Sequence, residues 1–178
     1  MTYLWGAFCA LLLGALAMEG WAQTPTANQQ TADQQTTVCQ FKDGGQVSVR
    51  YEAAPVHGDQ LPAGHMWSPG EQPMYLFTST TLKAGETEIP TGAYGLYVLP
   101  EKRHWTLVVS KDVSDKKYEP QHDLVRVPMD RGMLDEATTT VNLTLGHIAP
   151  KECSLRLYYG KTGAWAVFSE QNQLMAGH

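Results

Sequence analysis

Residues 65–74, His-Met-Trp-Ser-Pro-Gly-Glu-Gln-Pro-Met, place an imidazole, an indole, a carboxylate and two thioethers within ten positions. A small-ligand pocket needs an apolar wall and a few placed polar groups. In this loop Trp67 can serve as a stacking platform for a sugar or aromatic ligand, with His65, Glu71 and Gln72 as hydrogen-bonding partners. The competing reading is structural: Trp67 plugs one end of the fold while Pro69, Gly70 and Pro73 shape the turn. Two further chemistries have the right residue types. His57, His65, Met66 and Met74 offer imidazole and soft thioether ligands of the kind copper takes, but at no recognised metal spacing. Ser68 with His65 and Glu71 has the composition of a hydrolytic triad, without the Gly-x-Ser-x-Gly elbow that would expose the nucleophile. The sequence therefore assigns no catalytic residue, calls for no cofactor or metal, and points to a binding module rather than an enzyme.

A loop of this kind must hang on a scaffold, and the rest of the chain reads as strands. From Val38 onward, short apolar runs alternate with Gly, Pro, Asp and Asn clusters about every ten residues, the rhythm of a sandwich or barrel. Val47 and Val49 alternate with Ser48 and Arg50, so one face is buried and one wet. The same period-two pattern places Tyr94, Leu96 and Val98 on one face with Tyr97 on the other, and recurs through Val141, Leu143 and Leu145 and through Leu155, Leu157 and Tyr159. Further strands are expected at 74–78, from 88, at 105–110, at 124–127 and at 164–168. Segments 112–119 and 129–136 are polar and read as at most a helical turn or two. Strands joined by short turns pair antiparallel, because parallel pairing needs long crossovers. The expected architecture is an antiparallel β-sandwich of seven to nine short strands over residues 38–170.

The N-terminus sets the compartment. An apolar run from Tyr3 to Met18 is too short to span a bilayer comfortably and suits a signal-peptide core. Gly20-Trp21-Ala22 puts small residues where a signal peptidase reads, so cleavage after Ala22 is expected, with Ala15-Leu16-Ala17 a second cut and an uncleaved membrane anchor the competing reading. Residues 23–37 contain no large apolar side chain and read as a disordered polar linker. Residues 171–178 read as a flexible tail. Loss of a leader removes Cys9 and leaves Cys39 and Cys153, an even pair that an oxidising compartment would join in a disulfide; two unpaired buried thiols are the alternative. The chain of 178 residues carries 13 Lys and Arg against 18 Asp and Glu, a net −5 with no basic cluster. That balance lacks the electrostatic footprint of nucleic-acid binding, and no later apolar run is long enough for a membrane span. The expected partner is a small molecule or an envelope component, and the expected location is the periplasm or outside the cell.

Several blocks together are familiar. A first strand Val-Ser-Val-Arg-Tyr at 47–51, Pro55 and Gly58, Met66-Trp67, Pro-Thr-Gly-Ala-Tyr-Gly-Leu-Tyr-Val-Leu-Pro at 90–100, Trp-Thr-Leu-Val-Val-Ser-Lys-Asp at 105–112, Asp-Leu-Val-Arg at 123–126 and the segment 155–168 resemble the family catalogued as domain of unknown function 2911. The resemblance implies a secreted or envelope β-sandwich in bacteria, with no assigned activity. The family usually follows the loop Trp with Arg and a Gly-Ala-Asn stretch, whereas here Ser68-Pro69-Gly70-Glu71-Gln72 stands. The departure implies that this loop takes a different ligand or none.

Overall fold

The computed structural model describes residues 33–58, 60–114 and 117–171. The expected leader, most of the expected linker and most of the expected tail lie outside the described residues. Eleven strands are seen among those described: β1 Gln34–Gln40, β2 Gln46–Glu52, β3 Met74–Thr78, β4 Leu82–Ala84, β5 Thr87–Ile89, β6 Gly92–Pro100, β7 Trp105–Ser110, β8 Asp123–Met133, β9 Asn142–Ala149, β10 Glu152–Tyr159 and β11 Thr162–Glu170. Every pairing is antiparallel. The order across the sheet is β1-β2-β3-β6-β7-β8-β11-β10-β9, with the β4–β5 hairpin set against the end of β11.

The all-β, antiparallel expectation holds, and the two layers of the sandwich turn out to be continuous. β8 is the corner. Its first part pairs with β7, from Asp123 to Met129, and its last four residues pair with β11. The sheet thus curls over its own core until its two ends meet, where the Leu145 amide of β9 donates to the Thr37 hydroxyl of β1 at 2.7 Å. The result is a nearly closed, barrel-like sandwich. Cys39 of β1 and Cys153 of β10 are joined by a disulfide across it, with Cα atoms 6.3 Å apart.

The core follows the alternation. Val47, Val49, Leu76, Leu96, Leu107, Val109, Leu155, Leu157 and Phe168 are buried, each at 1 % exposure or less. Burying one such side chain fully is worth about 1.5–3 kcal/mol. Two expectations change. Segment 34–37, expected as linker, is the greater part of β1, because its backbone pairs along β2 from Glu52 inward; a strand whose side chains are nearly all exposed leaves no hydrophobic signal. Segment 129–136, expected to form at most a helical turn or two, instead supplies 129–133 as the end of β8, the long strand that turns the sheet's corner. No helix of the described residues is long and apolar enough to cross a membrane.

Candidate functional site

The loop around Trp67 is built as an extension of the sheet. β3 pairs with β6 only from Gly92 to Leu96, which leaves the last residues of β6 without a strand on that side. The loop fills the gap. The Trp67 amide donates to the Val98 carbonyl at 2.8 Å, the Val98 amide donates back to the Trp67 carbonyl at 2.9 Å, and the Gly64 amide donates to the Pro100 carbonyl at 2.7 Å. Trp67 stands opposite core-facing Val98 and packs its indole edge-on against Tyr159, ring centroids 5.7 Å apart at 85°. The Tyr159 hydroxyl is itself engaged: it donates to the His57 carbonyl at 2.7 Å and accepts from the His57 amide at 3.1 Å. Beyond Trp67 the chain makes a tight turn. The Gln72 amide donates to the Pro69 carbonyl at 3.2 Å, and Gly70 and Glu71 both have φ of 61°. Two central residues at positive φ are the signature of a type I′ turn.

The loop's outer side forms one wall of a cleft of about 500 Å³. His65, Met66, Trp67, Ser68 and Glu71 line it from the loop, and Tyr97, Lys117 and Tyr118 line it from across. Of the four residues read as binding candidates, the structure therefore brings His65, Trp67 and Glu71 together. Gln72 is exposed and lies outside the lining. Trp67 takes both parts at once, half-buried against the core and present in the cleft wall. The copper-type set is divided: Met74 is a core residue at 1 % exposure, while His65 and Met66 line the cleft. Ser68, His65 and Glu71 share the cleft, but among the described residues they are joined only by the Glu71 amide donating to the Ser68 carbonyl at 3.3 Å, with no side-chain hydrogen bond of a catalytic relay.

The opposite wall comes from residues distant from the loop in sequence. Tyr97 lies on the outer face of β6 yet is buried, because Asp112 and Tyr118 pack over that face. The Tyr118 ring meets Tyr97 with centroids 5.0 Å apart at 62°. Tyr118 is held by a small network: its hydroxyl donates to Asp123 Oδ2 at 2.8 Å, Arg126 Nη2 donates to the Tyr118 oxygen at 2.7 Å, and Arg126 Nε donates to Asp123 Oδ2 at 2.8 Å. Burial, then the hydrogen bond to Asp123, pushes the Tyr118 phenol up to about 12. Burial, then the negative charge of Asp112, also raises Tyr97. Both phenols stay protonated at neutral pH, the Tyr118 O–H committed to Asp123. The one available signal was Tyr97 itself: a bulky aromatic on the face opposite a buried row implies that something covers that face.

The cleft therefore has an aromatic wall and a rim that mixes a cation, a carboxylate, an imidazole and a hydroxyl. No curated protein and no solved structure matches the chain. A family described as "Protein of unknown function (DUF2911)" matches residues 32–167, a span that runs from just before β1 to near the end of β11, and the chain belongs to that family.

Proposed function

We propose that this protein is an exported, non-catalytic binding module whose cleft takes a small polyhydroxylated ligand, a sugar ring free or as part of an envelope glycan. The carrying observation is the convergence of Trp67, Tyr97 and Tyr118 with Glu71, Ser68 and Lys117 around about 500 Å³. That volume is in the range of ligand pockets, roughly 300–1,000 Å³. Aromatic faces suit the apolar face of a sugar ring, and a rim of mixed sign suits hydroxyls better than a net charge. The Cys39–Cys153 disulfide supports folding in an oxidising compartment, and with it export through the N-terminal leader.

Calorimetric titration with cell-wall disaccharides tests the reading. Tyr118→Ala and Glu71→Ala should each weaken binding at least tenfold while the fold stays intact by circular dichroism. Trp67→Ala should abolish binding and also lower the melting temperature, since its ring packs on Tyr159. Unchanged affinity in all three variants rejects the cleft. A hydrolase is the second reading, favoured by Ser68, His65 and Glu71 sharing the cleft. Turnover by the purified domain that is lost in both His65→Ala and Ser68→Ala would establish it over a binder.

A further inference from the structure

A second concavity lies on the outer face of the other half of the sheet, where β8, β11 and β10 run side by side. It measures about 450 Å³ and shares no residue with the cleft around Trp67. Its sides are Trp165, Tyr158, Met133, Ile148 and Val167. Six large hydrophobic residues are exposed among those described, and three of them, Met133 at 75 %, Ile148 at 45 % and Trp165 at 36 %, gather here. Scattered exposed apolar residues need no explanation, whereas a gathered patch marks an interaction site.

The floor is made of small residues placed by register. Gly163 pairs with Gly132 on one side and Tyr158 on the other, and Ser154 pairs with Val167. A Cβ on Gly132 would lie 3.3 Å from the Trp165 ring, and one on Gly163 would lie 3.4 Å from Leu134 and 3.6 Å from the Tyr158 ring. The glycines thus let the two aromatic side chains lie low across the sheet, which leaves a trough rather than a ridge.

Arg156 provides the second observation. It pairs directly across from Trp165 and is the one charged side chain in the lining. Among the described residues its guanidinium makes no hydrogen bond, ion pair or ring contact, unlike Arg50, Arg126 and Arg131, which stack on aromatic rings or bond to neighbouring oxygens. The nearest acid by register, Asp130, stands beyond Trp165, two strands away from Arg156. An apolar trough with a single uncompensated cation complements a chain that is apolar along its length and anionic at its end.

We propose that this face binds a free single-chain amphiphile with an anionic head, the chain lying between Trp165 and Tyr158 and the head paired with Arg156. Titration with decanoate, decanol and decyltrimethylammonium below their micelle concentrations, followed by calorimetry and the Trp165 indole N–H resonance, tests it. Decanoate should bind and shift that resonance, and decyltrimethylammonium should bind at least tenfold more weakly. Arg156→Gln should cost decanoate about tenfold, the loss of one charge-assisted pair, and leave decanol unchanged. Trp165→Ala should weaken decanoate and decanol together, while Trp67→Ala should leave decanoate binding intact. Equal affinity for the anion and the cation overturns the proposal, as does decanoate binding that neither Arg156→Gln nor Trp165→Ala weakens. Retention on phosphatidylglycerol vesicles without binding of monomeric decanoate overturns it in favour of a membrane contact. Concentration-dependent dimers that Trp165→Ala abolishes, again without decanoate binding, overturn it in favour of a self-interface.

Discussion

Glu71 is the only non-glycine residue at positive φ among those described, at 61°. Side chains other than Gly, Asn and Asp resist that region, at roughly 1–2 kcal/mol, and such outliers cluster at ligand sites. The position lines the cleft, so local strain and proposed role coincide there. Glu71→Gly should separate them: chemical denaturation should show the variant more stable by up to about 1 kcal/mol, while sugar binding is lost. A gain in stability with binding intact would reduce Glu71 to a turn residue. That the loop holds side chains able to bind a ligand was legible in its composition. That Gln72 would fall outside the cleft while its neighbour faced inward was not, because the type I′ turn that decides it depends on where β3 and β6 anchor the two ends.

At the scale of elements, Asp112 and Tyr118 cover the outer face of β6, and the Tyr118 wall depends on that close approach. Gly95 permits it. A Cβ there would stand 2.5 Å from the Asp112 carbonyl oxygen and 3.3 Å from the Tyr97 ring. The β6 main chain is fixed by pairing to β3 and β7, so the Asp112 segment would have to move outward. Gly95→Ala should therefore cost about 1–3 kcal/mol, in the range of overpacking, and should weaken the cleft by displacing Tyr118. Thermal melts and binding titrations read both effects. Alternation identified the core faces of β2, β6, β9 and β10 from sequence alone, since a half-buried strand must repeat every two residues. It failed for β1 and for the end of β8. Those residues are held by backbone pairing, and backbone hydrogen bonds leave no trace in side-chain pattern.

For the molecule as a whole, two features bear on stability. The disulfide joins Cys39 and Cys153, 114 residues apart, and so ties the first strand to the penultimate one. Closing so long a loop stabilises by up to about 4–5 kcal/mol in the chain-entropy model. The double variant Cys39→Ser, Cys153→Ser, or reduction of the native chain, should lower the melting temperature by well over ten degrees if that figure holds. A shift of only a few degrees would show that packing alone closes the sheet. The other feature is Glu170 at the end of β11, buried at 5 % exposure. Burial first, then the hydrogen bond and charge of Asp43, hold its carboxyl above the ordinary 4.5. A group that binds its proton more tightly folded than unfolded stabilises the fold below its unfolded value and loses that contribution as pH rises through its folded value. Glu170→Gln keeps a neutral side chain there at every pH, so its advantage in melting temperature over the wild type should be larger at pH 7 than at pH 4. An equal difference at both would show that Glu170 does not titrate with folding.

The fold class, the faces of most strands and the candidate pair of cysteines can be read from the residues alone. The first two follow from local rules, period-two burial and turn chemistry, and the third from an even count of thiols once the expected leader is set aside. The sequence also marked the Trp67 loop as the place to look. Tertiary structure alone decided that β8 turns the corner between the two layers, that β1 begins inside a Gln- and Thr-rich stretch, and that Tyr97 and Tyr118 complete the cleft. It alone also placed Arg156 beside Trp165 over a glycine floor. The physical reason is the same in each case. These features arise from strand register and from close approach of segments distant along the chain, and neither is written into the pattern of any one segment.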